Sequence, residues 1–107
     1  MEIKNNYLER EIKIVDALKT VFDPEIPVNV YDLGLIYEIK IDDEDSVTLT
    51  MTLTNPNCPV ADELPRSVKE AVLGIVGVRQ VNVNLVFEPE WNKDMMSDAA
   101  MLDLGLL

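Results

Sequence analysis

Histidine is absent from this sequence, and cysteine occurs once, as Cys58. Without histidine the chain cannot form a Ser/His/Asp or a Cys/His catalytic constellation. A single thiol also excludes an intrachain disulfide and a cysteine-rich zinc site built by one chain. These absences remove most familiar hydrolase mechanisms and direct attention to the one thiol.

Long apolar runs and positive charge are also scarce. The longest mostly apolar run, residues 71–78, is broken by Gly74 and Gly77 and is far shorter than the roughly 18 residues that a membrane span needs. The first residues lack the apolar core of a signal peptide. The chain has nine basic and 20 acidic residues, which gives a net charge of −11. This negative charge repels a phosphate backbone. The sequence therefore predicts a cytoplasmic protein that binds neither nucleic acid nor membranes.

The composition is that of one globular domain. The chain has 107 residues, of which 48% are hydrophobic and 27% charged, and this is enough to bury one core without disulfides or a structural metal. We expect a single domain over residues 1–107, with residues 92–107 as an apolar C-terminal tail.

Apolar periodicity predicts the order helix, strand, strand, helix, strand and short helix. The first helix ends near Asp23, before Pro24, and its apolar stripe consists of Leu8, Ile12, Val15, Leu18 and Phe22. Alternation from Leu35 and again over residues 46–54 predicts an antiparallel hairpin, and residues 81–87 form a third strand. We expect an α+β fold in which helices pack on one face of a three-stranded mixed sheet.

Cys58 lies where a strand pattern ends and a helical pattern begins. Pro59 suits the first position of a helix, so Cys58 is predicted to be its N-cap, although Pro65 allows a main helix that begins later. At a helix N-terminus, unpaired N–H groups and the macrodipole favour a thiolate. A lone cysteine is nevertheless more often a small buried hydrophobe, so the residue pattern alone leaves both interpretations open.

The tail is unusually apolar for its length. Ser97 is a predicted N-cap for the short helix, and Gly105 ends it. The large apolar side chains here either cover the core of the domain or form an adaptable surface that docks a partner; they include Trp91, Met95, Met96 and Met101.

Three motifs in this order resemble those of the SufT/PaaD-like family of small iron-sulfur cluster assembly proteins. The first is Asp23-Pro24-Glu25-Ile26-Pro27 followed by Tyr31-Asp32-Leu33-Gly34-Leu35-Ile36-Tyr37. The second is Thr54-Asn55-Pro56-Asn57-Cys58-Pro59, and the third is Phe87-Glu88-Pro89-Glu90-Trp91 with Met96-Ser97. The resemblance covers nearly the whole chain.

The resemblance implies a pocket around the thiol. In such a pocket Cys58 is the ligand of iron or of a cluster, and the neighbouring residues are Asp23, Glu25, Asp32, Thr54 and Asn55. The family often has Thr or Ser at position 55 and Gly at position 57, where this chain has Asn. Because Asn tolerates left-handed backbone geometry, the loop shape should survive, whereas a hydroxyl beside the thiol becomes an amide.

The number of ligands limits the role of such a pocket. Iron-sulfur clusters normally take about four thiolates, and one chain supplies one. Iron or a cluster would therefore be held transiently and shared with a partner or with a second copy in a homodimer. The preferred role is a carrier, without catalytic turnover, between an assembly scaffold and client apoproteins.

Two other functions fit the residues. A thiol-dependent enzyme would use Cys58 as its nucleophile and Glu25 as its general base. An interaction subunit, as in the PaaD-like branch associated with a phenylacetate-degradation oxygenase, would dock its partner through Trp91 and the methionine-rich tail.

Overall fold

The computed structural model describes residues 2–54 and 63–106. Its elements follow the predicted order, with a 3-10 turn at Lys93–Met95 that the sequence pattern did not predict. They are α1 (Glu2–Leu18), β1 (Ile36–Ile41), β2 (Ser46–Met51), α2 (Glu63–Leu73), β3 (Gln80–Leu85) and α3 (Asp98–Asp103). The hydroxyl of Ser97 accepts a hydrogen bond from the backbone N–H of Ala100 at 3.1 Å, so the predicted N-cap of α3 is confirmed.

The three strands form one mixed sheet with β2 in the middle. β1 pairs with β2 antiparallel, and β3 pairs with β2 parallel. The α+β fold and the mixed sheet are therefore as predicted. The apolar residues of β2 are buried on the inner face, and the threonines between them are half-buried on the other: Val47, Leu49 and Met51 against Thr48 and Thr50.

The start of β1 departs from the alternation that the sequence predicted from Leu35. A bulge lies between Ile36 and Glu38, so Ile36 is opposite Met51 and Tyr37 is the extra residue. Leu35 is fully buried but precedes the strand. An extra residue shifts the side-chain alternation by one, which is why a strict period of two fails at this end of the hairpin.

Helices α1 and α2 contact each other as well as the sheet, α1 through β1 and α2 through β3. The core between these layers includes Ile14 and Leu18 of α1, both without solvent exposure, and the buried side of α2. Residues of the segment between α1 and β1 complete it, namely Val21, Val28, Val30, Leu33 and Leu35. This segment, which carries the first sequence motif, is thus built into the core.

Two predictions about α1 are wrong. The helix ends at Leu18 rather than near Asp23, because the chain after it pairs with itself: the N–H of Val30 donates to the oxygen of Val21 at 2.8 Å. Phe22, the last residue of the predicted helical stripe, therefore lies beyond the helix. The stripe itself is only partly buried. Leu8 and Ile12 are 56% and 61% exposed, since Ile14 and Leu18, not Ile12, face the sheet.

Candidate functional site

One end of the sheet brings the first sequence motif beside the end of β2. The N–H of Thr52, just after β2, donates to the oxygen of Leu35 at 2.9 Å, and the N–H of Val86, just after β3, donates to the oxygen of Met51 at 2.8 Å. Antiparallel β1 begins where parallel β2 and β3 end. The segments before β1, after β2 and after β3 therefore meet at one edge.

Asp23 holds the loop that follows α1. Its side chain is 7% exposed, and Oδ1 accepts hydrogen bonds from the backbone N–H of Glu25 at 2.8 Å and of Ile26 at 3.0 Å. A carboxylate that accepts from N–H groups two and three residues further on forms an Asx turn. Asp23 therefore fixes the backbone at Glu25. Glu25 itself is exposed.

Asp32 is half-buried and is oriented by Asn29, a residue that the sequence prediction missed. The side-chain amide of Asn29 donates to Oδ2 of Asp32 at 2.8 Å, while the N–H of Asp32 donates to Oδ1 of Asn29 at 2.8 Å. The spacing of three residues between an Asn and a following N–H is typical of a capping interaction. That spacing is the signal by which Asn29 could have been found.

The remaining predicted site residues lie on the segment after β2. Thr54 is half-buried, two residues beyond Thr52, whose N–H is bonded to Leu35. Cys58 and Asn55 lie outside the described residues, so the roles predicted for them stay predictions. Within residues 2–54 and 63–106, no three Asp or Glu side chains stand close enough together to hold a metal ion.

The third motif packs directly on the first. Trp91 Nε1 donates to the backbone oxygen of Leu33 at 2.7 Å, the N–H of Ser97 donates to the oxygen of Asp32 at 2.8 Å, and the hydroxyl of Tyr37 donates to the oxygen of Pro89 at 2.7 Å. Two motifs that are more than 50 residues apart in the sequence therefore form one unit beside the end of β2.

Gly34 of the first motif lies against the backbone of Met95, which directly precedes the Met96-Ser97 part of the third motif. Its φ of +81° is in the left-handed region, and a Cβ at this position would overlap the backbone oxygen of Met95 and lie 2.9 Å from its carbonyl carbon. Only glycine combines the left-handed backbone with no side chain. The bend before β1 and the 3-10 turn are thus fitted to each other.

The residues that were predicted to dock a partner lie mainly over the core. Met96 is 6% exposed, whereas Trp91 and Met101 are half-buried and pack against the buried cluster. Met95 is half-buried, with Sδ 3.6 Å from the hydroxyl of Tyr37. The more exposed apolar side chains of the tail are Leu102 and Leu106. Coverage of the core, one of the two alternatives for the tail, is confirmed, and docking by these residues stays a prediction.

An open cleft of about 810 Å³ lies beside the same edge of the sheet. Its described lining consists of Phe87, Glu88, Pro89 and Glu90, which directly follow β3. Phe87 is 44% exposed. The edge therefore combines the half-buried Asp32 and Thr54 with a solvent-accessible, acidic margin.

Residues 11–85 match the family described as iron-sulfur cluster assembly protein. A protein from Porphyromonas gingivalis, named Fe-S protein maturation auxiliary factor, is 56% identical over 105 residues, which are 98% of this chain and 100% of that protein. The Fe-S protein maturation auxiliary factor SufT of Staphylococcus aureus is 40% identical over 86 residues, or 80% of this chain and 98% of that protein.

The fold is similar to that of a solved structure. The crystal structure of a domain of unknown function from Bacillus anthracis matches with a TM-score of 0.85 and 34% sequence identity, covering 92% of this chain and 94% of that one. The agreement extends over nearly the full length of both chains.

Proposed function

This chain belongs to the iron-sulfur cluster assembly protein family, and from that premise we propose that it carries iron or a cluster transiently through Cys58 and passes it to client apoproteins. Its similar proteins are named maturation auxiliary factors rather than enzymes. The family that the three motifs predicted is thereby confirmed. The proposed cargo is iron or an iron-sulfur cluster, delivered from an assembly scaffold in the cytoplasm.

The observation that carries this proposal is the convergence at one edge of the sheet. Asp23, which accepts the hydrogen bonds of the loop after α1, is buried, and so are Thr52 and Leu35, which are bonded to each other. Cys58 follows Thr54 by four residues, and four residues span at most about 14 Å. This length of chain allows the thiol to reach the edge that carries Asp32 and the start of β1, as the proposal requires.

The chemistry of the chain favours shared, temporary binding. A thiolate is a soft ligand that suits iron, and the carboxylates of Glu25 and Asp32 are candidates to supply oxygen or to orient the thiolate. One thiol cannot satisfy a cluster that takes about four. The other ligands must come from a scaffold, a client or a second copy, and such sharing makes transfer by ligand exchange straightforward.

No helix among the described residues is long and apolar enough to cross a membrane.

Anaerobic reconstitution with iron and sulfide tests the proposal. With a small thiol present to supply the remaining ligands, we expect the native protein to show a charge-transfer absorption and a Mössbauer signal that Cys58→Ala and Cys58→Ser both lose. An apo-ferredoxin added afterwards should gain its cluster from the native protein only. If the signal persists in both variants, or if it is absent even when the acceptor is present, the proposed role of Cys58 is wrong.

A further inference from the structure

The solvent-facing side of α1 carries an apolar stripe with nothing of the described chain packed over it. Leu8 and Ile12 are 56% and 61% exposed, Val15 is half-buried, and the three line a shallow groove of about 250 Å³ together with Glu11 and Asp16. With about 3.6 residues per turn, they lie on one side of the helix, about a third of a turn round from Ile14. The core therefore leaves this side of α1 uncovered.

The spacing of these residues indicates what kind of surface would cover them. Leu8, Ile12 and Val15 stand at i, i+4 and i+7, the spacing of the seam through which two helices pack side by side. The seam is about 10 Å long, which is short for a permanent interface. A single amphipathic helix laid along α1 would match both the spacing and the length.

The charges along the stripe indicate the chemistry of that helix. Glu9 and Asp16 border it on one side and Glu11 on the other. Of the nearby cations, Arg10 pairs with Asp45. Lys4 and Lys19 stand beyond the two ends of the stripe, four residues before Leu8 and four after Val15, and Lys19 has its Nζ 5.6 Å from the centre of the Tyr31 ring. Lys13 lies about a quarter turn further round the helix from Ile12. The immediate margins of the stripe are therefore acidic.

A second copy of this chain would bring the same acidic margins against each other. The net charge of −11 on each copy adds to that repulsion, since like-charged surfaces placed face to face oppose association. A partner with Lys or Arg beside its apolar residues would instead gain attraction on both margins. Charge complementarity thus favours a basic partner over self-association.

We propose that the stripe formed by Leu8, Ile12 and Val15 docks a basic amphipathic helix of a partner protein. This surface lies on α1, whereas the cargo residues proposed above follow β2 and α1. Docking on α1 would hold a partner on the chain without using the side chains of the cargo site.

The first test uses a designed peptide as the probe. A helical peptide with leucines at seam spacing and lysines beside them should shift the NMR signals of residues 8–16 of the labelled protein, and raising the salt concentration should weaken binding. The same peptide with glutamates in place of the lysines should not bind. Equal binding of the two peptides, no binding of the basic one, or shifts confined to other residues would overturn the proposal.

Matched variants make the test specific. Ile12→Glu places a charge in the seam and should weaken binding of the basic peptide by about tenfold or more. Val76→Glu adds the same charge at a residue that is 94% exposed and should leave binding unchanged. If Ile12→Glu fails to fold by circular dichroism, Leu8→Glu replaces it. Identical affinities for the native protein and the folded seam variant would contradict the proposal.

Two further measurements identify the occupant. In sedimentation equilibrium the native chain should form no dimer through this stripe. A dimer of the native chain that is absent in the Ile12→Glu variant would show that a second copy covers the stripe instead. A photo-crosslinker placed at position 12 in cells, compared with one at position 76, should attach to a helical segment in which Lys or Arg flank apolar residues. Attachment to an acidic segment or to this chain would overturn the proposal.

Discussion

The indole of Trp91 and the backbone oxygen of Leu33 are joined by a hydrogen bond of 2.7 Å. Leu33 is fully buried, so its carbonyl depends on a partner inside the protein. This bond fastens the segment after β3 to the segment before β1, and that second segment also carries Asp32. Both segments flank the edge of the sheet where the proposed cargo residues lie.

Replacing Trp91 with Phe should test the value of that bond. Phenylalanine keeps an aromatic ring but is smaller than the indole, and the oxygen of Leu33 loses its donor. The free energy of unfolding should fall by the roughly 1–2 kcal/mol of the buried bond plus the cost of the volume lost beside the core. Urea unfolding followed by circular dichroism measures the change, since the variant has no tryptophan to report by fluorescence. Tyr37→Phe removes a more exposed bond to Pro89 and should cost less. Equal losses in the two variants would argue against the buried bond.

Replacing Gly34 with Ala should be much more disruptive than the same change at another left-handed glycine. At Gly34 the new methyl group would overlap the backbone of Met95. Such an overlap costs about 1–3 kcal/mol, in addition to the roughly 1–2 kcal/mol cost of the left-handed backbone. Gly77 has a φ of +97° but open space around it, so Gly77→Ala should carry the backbone cost alone. Thermal or urea unfolding of the two variants should differ accordingly, and matching stabilities would show that the contact with Met95 is easily relieved.

Two replacements of Asp23 separate its structural role from its charge. Asp23→Asn keeps an oxygen that can accept from the N–H groups of Glu25 and Ile26, so its stability should fall by less than about 1 kcal/mol. Asp23→Ala leaves both N–H groups without that acceptor and should lose about 1–2 kcal/mol. Hydrogen exchange of these two amides, measured by NMR, should be faster in the alanine variant only. Fast exchange in both variants would mean that the charge itself holds the turn.

Replacing Ser97 with Ala should destabilise α3 without touching the contact to the first motif. The hydroxyl that accepts from Ala100 is lost, at a cost of about 1 kcal/mol, whereas the backbone N–H that donates to Asp32 remains. Ser67 is an exposed serine inside α2, and Ser67→Ala should be neutral or raise stability by a few tenths of a kcal/mol. Urea unfolding compares the two, and a loss in both would point to a general effect of removing serine.

The order of the elements and the mixed sheet followed from the sequence because the periodic patterns are local. Ser97 before Ala100 and the alternation around Leu49 are examples. The bulge at Tyr37 and the true end of α1 at Leu18 did not follow, because each depends on backbone pairing with another part of the chain: Thr52 with Leu35 for the bulge, and Val30 with Val21 for the helix end. Local apolar spacing cannot report such pairing.

The candidate site was predicted through the family resemblance rather than from spacing. Asp23 illustrates the difference: an acidic residue before a proline is ordinarily solvent-facing, whereas here it is buried as the acceptor of two backbone bonds. Asn29 was missed because it lies between the two parts of the first motif, residues 23–27 and 31–37, from which Asp32 was predicted. The exposure of Ile12 could not be predicted either, since an apolar stripe that is exposed on the surface and one that faces the core have the same spacing.

The parallel pairing of β2 with β3 also sets the order in which the molecule can fold. β1 and β2 are joined by the short acidic connection from Asp42 to Asp45, so their pairing closes a small loop at little entropic cost. β3 reaches β2 only across the whole length of α2, a closure of longer range and slower formation. We expect the hairpin to form first and the segment that carries Trp91 to pack against the segment before β1 last. A nascent or partly unfolded chain would then lack the completed edge of the sheet, so only the finished fold would be competent to receive the proposed cargo.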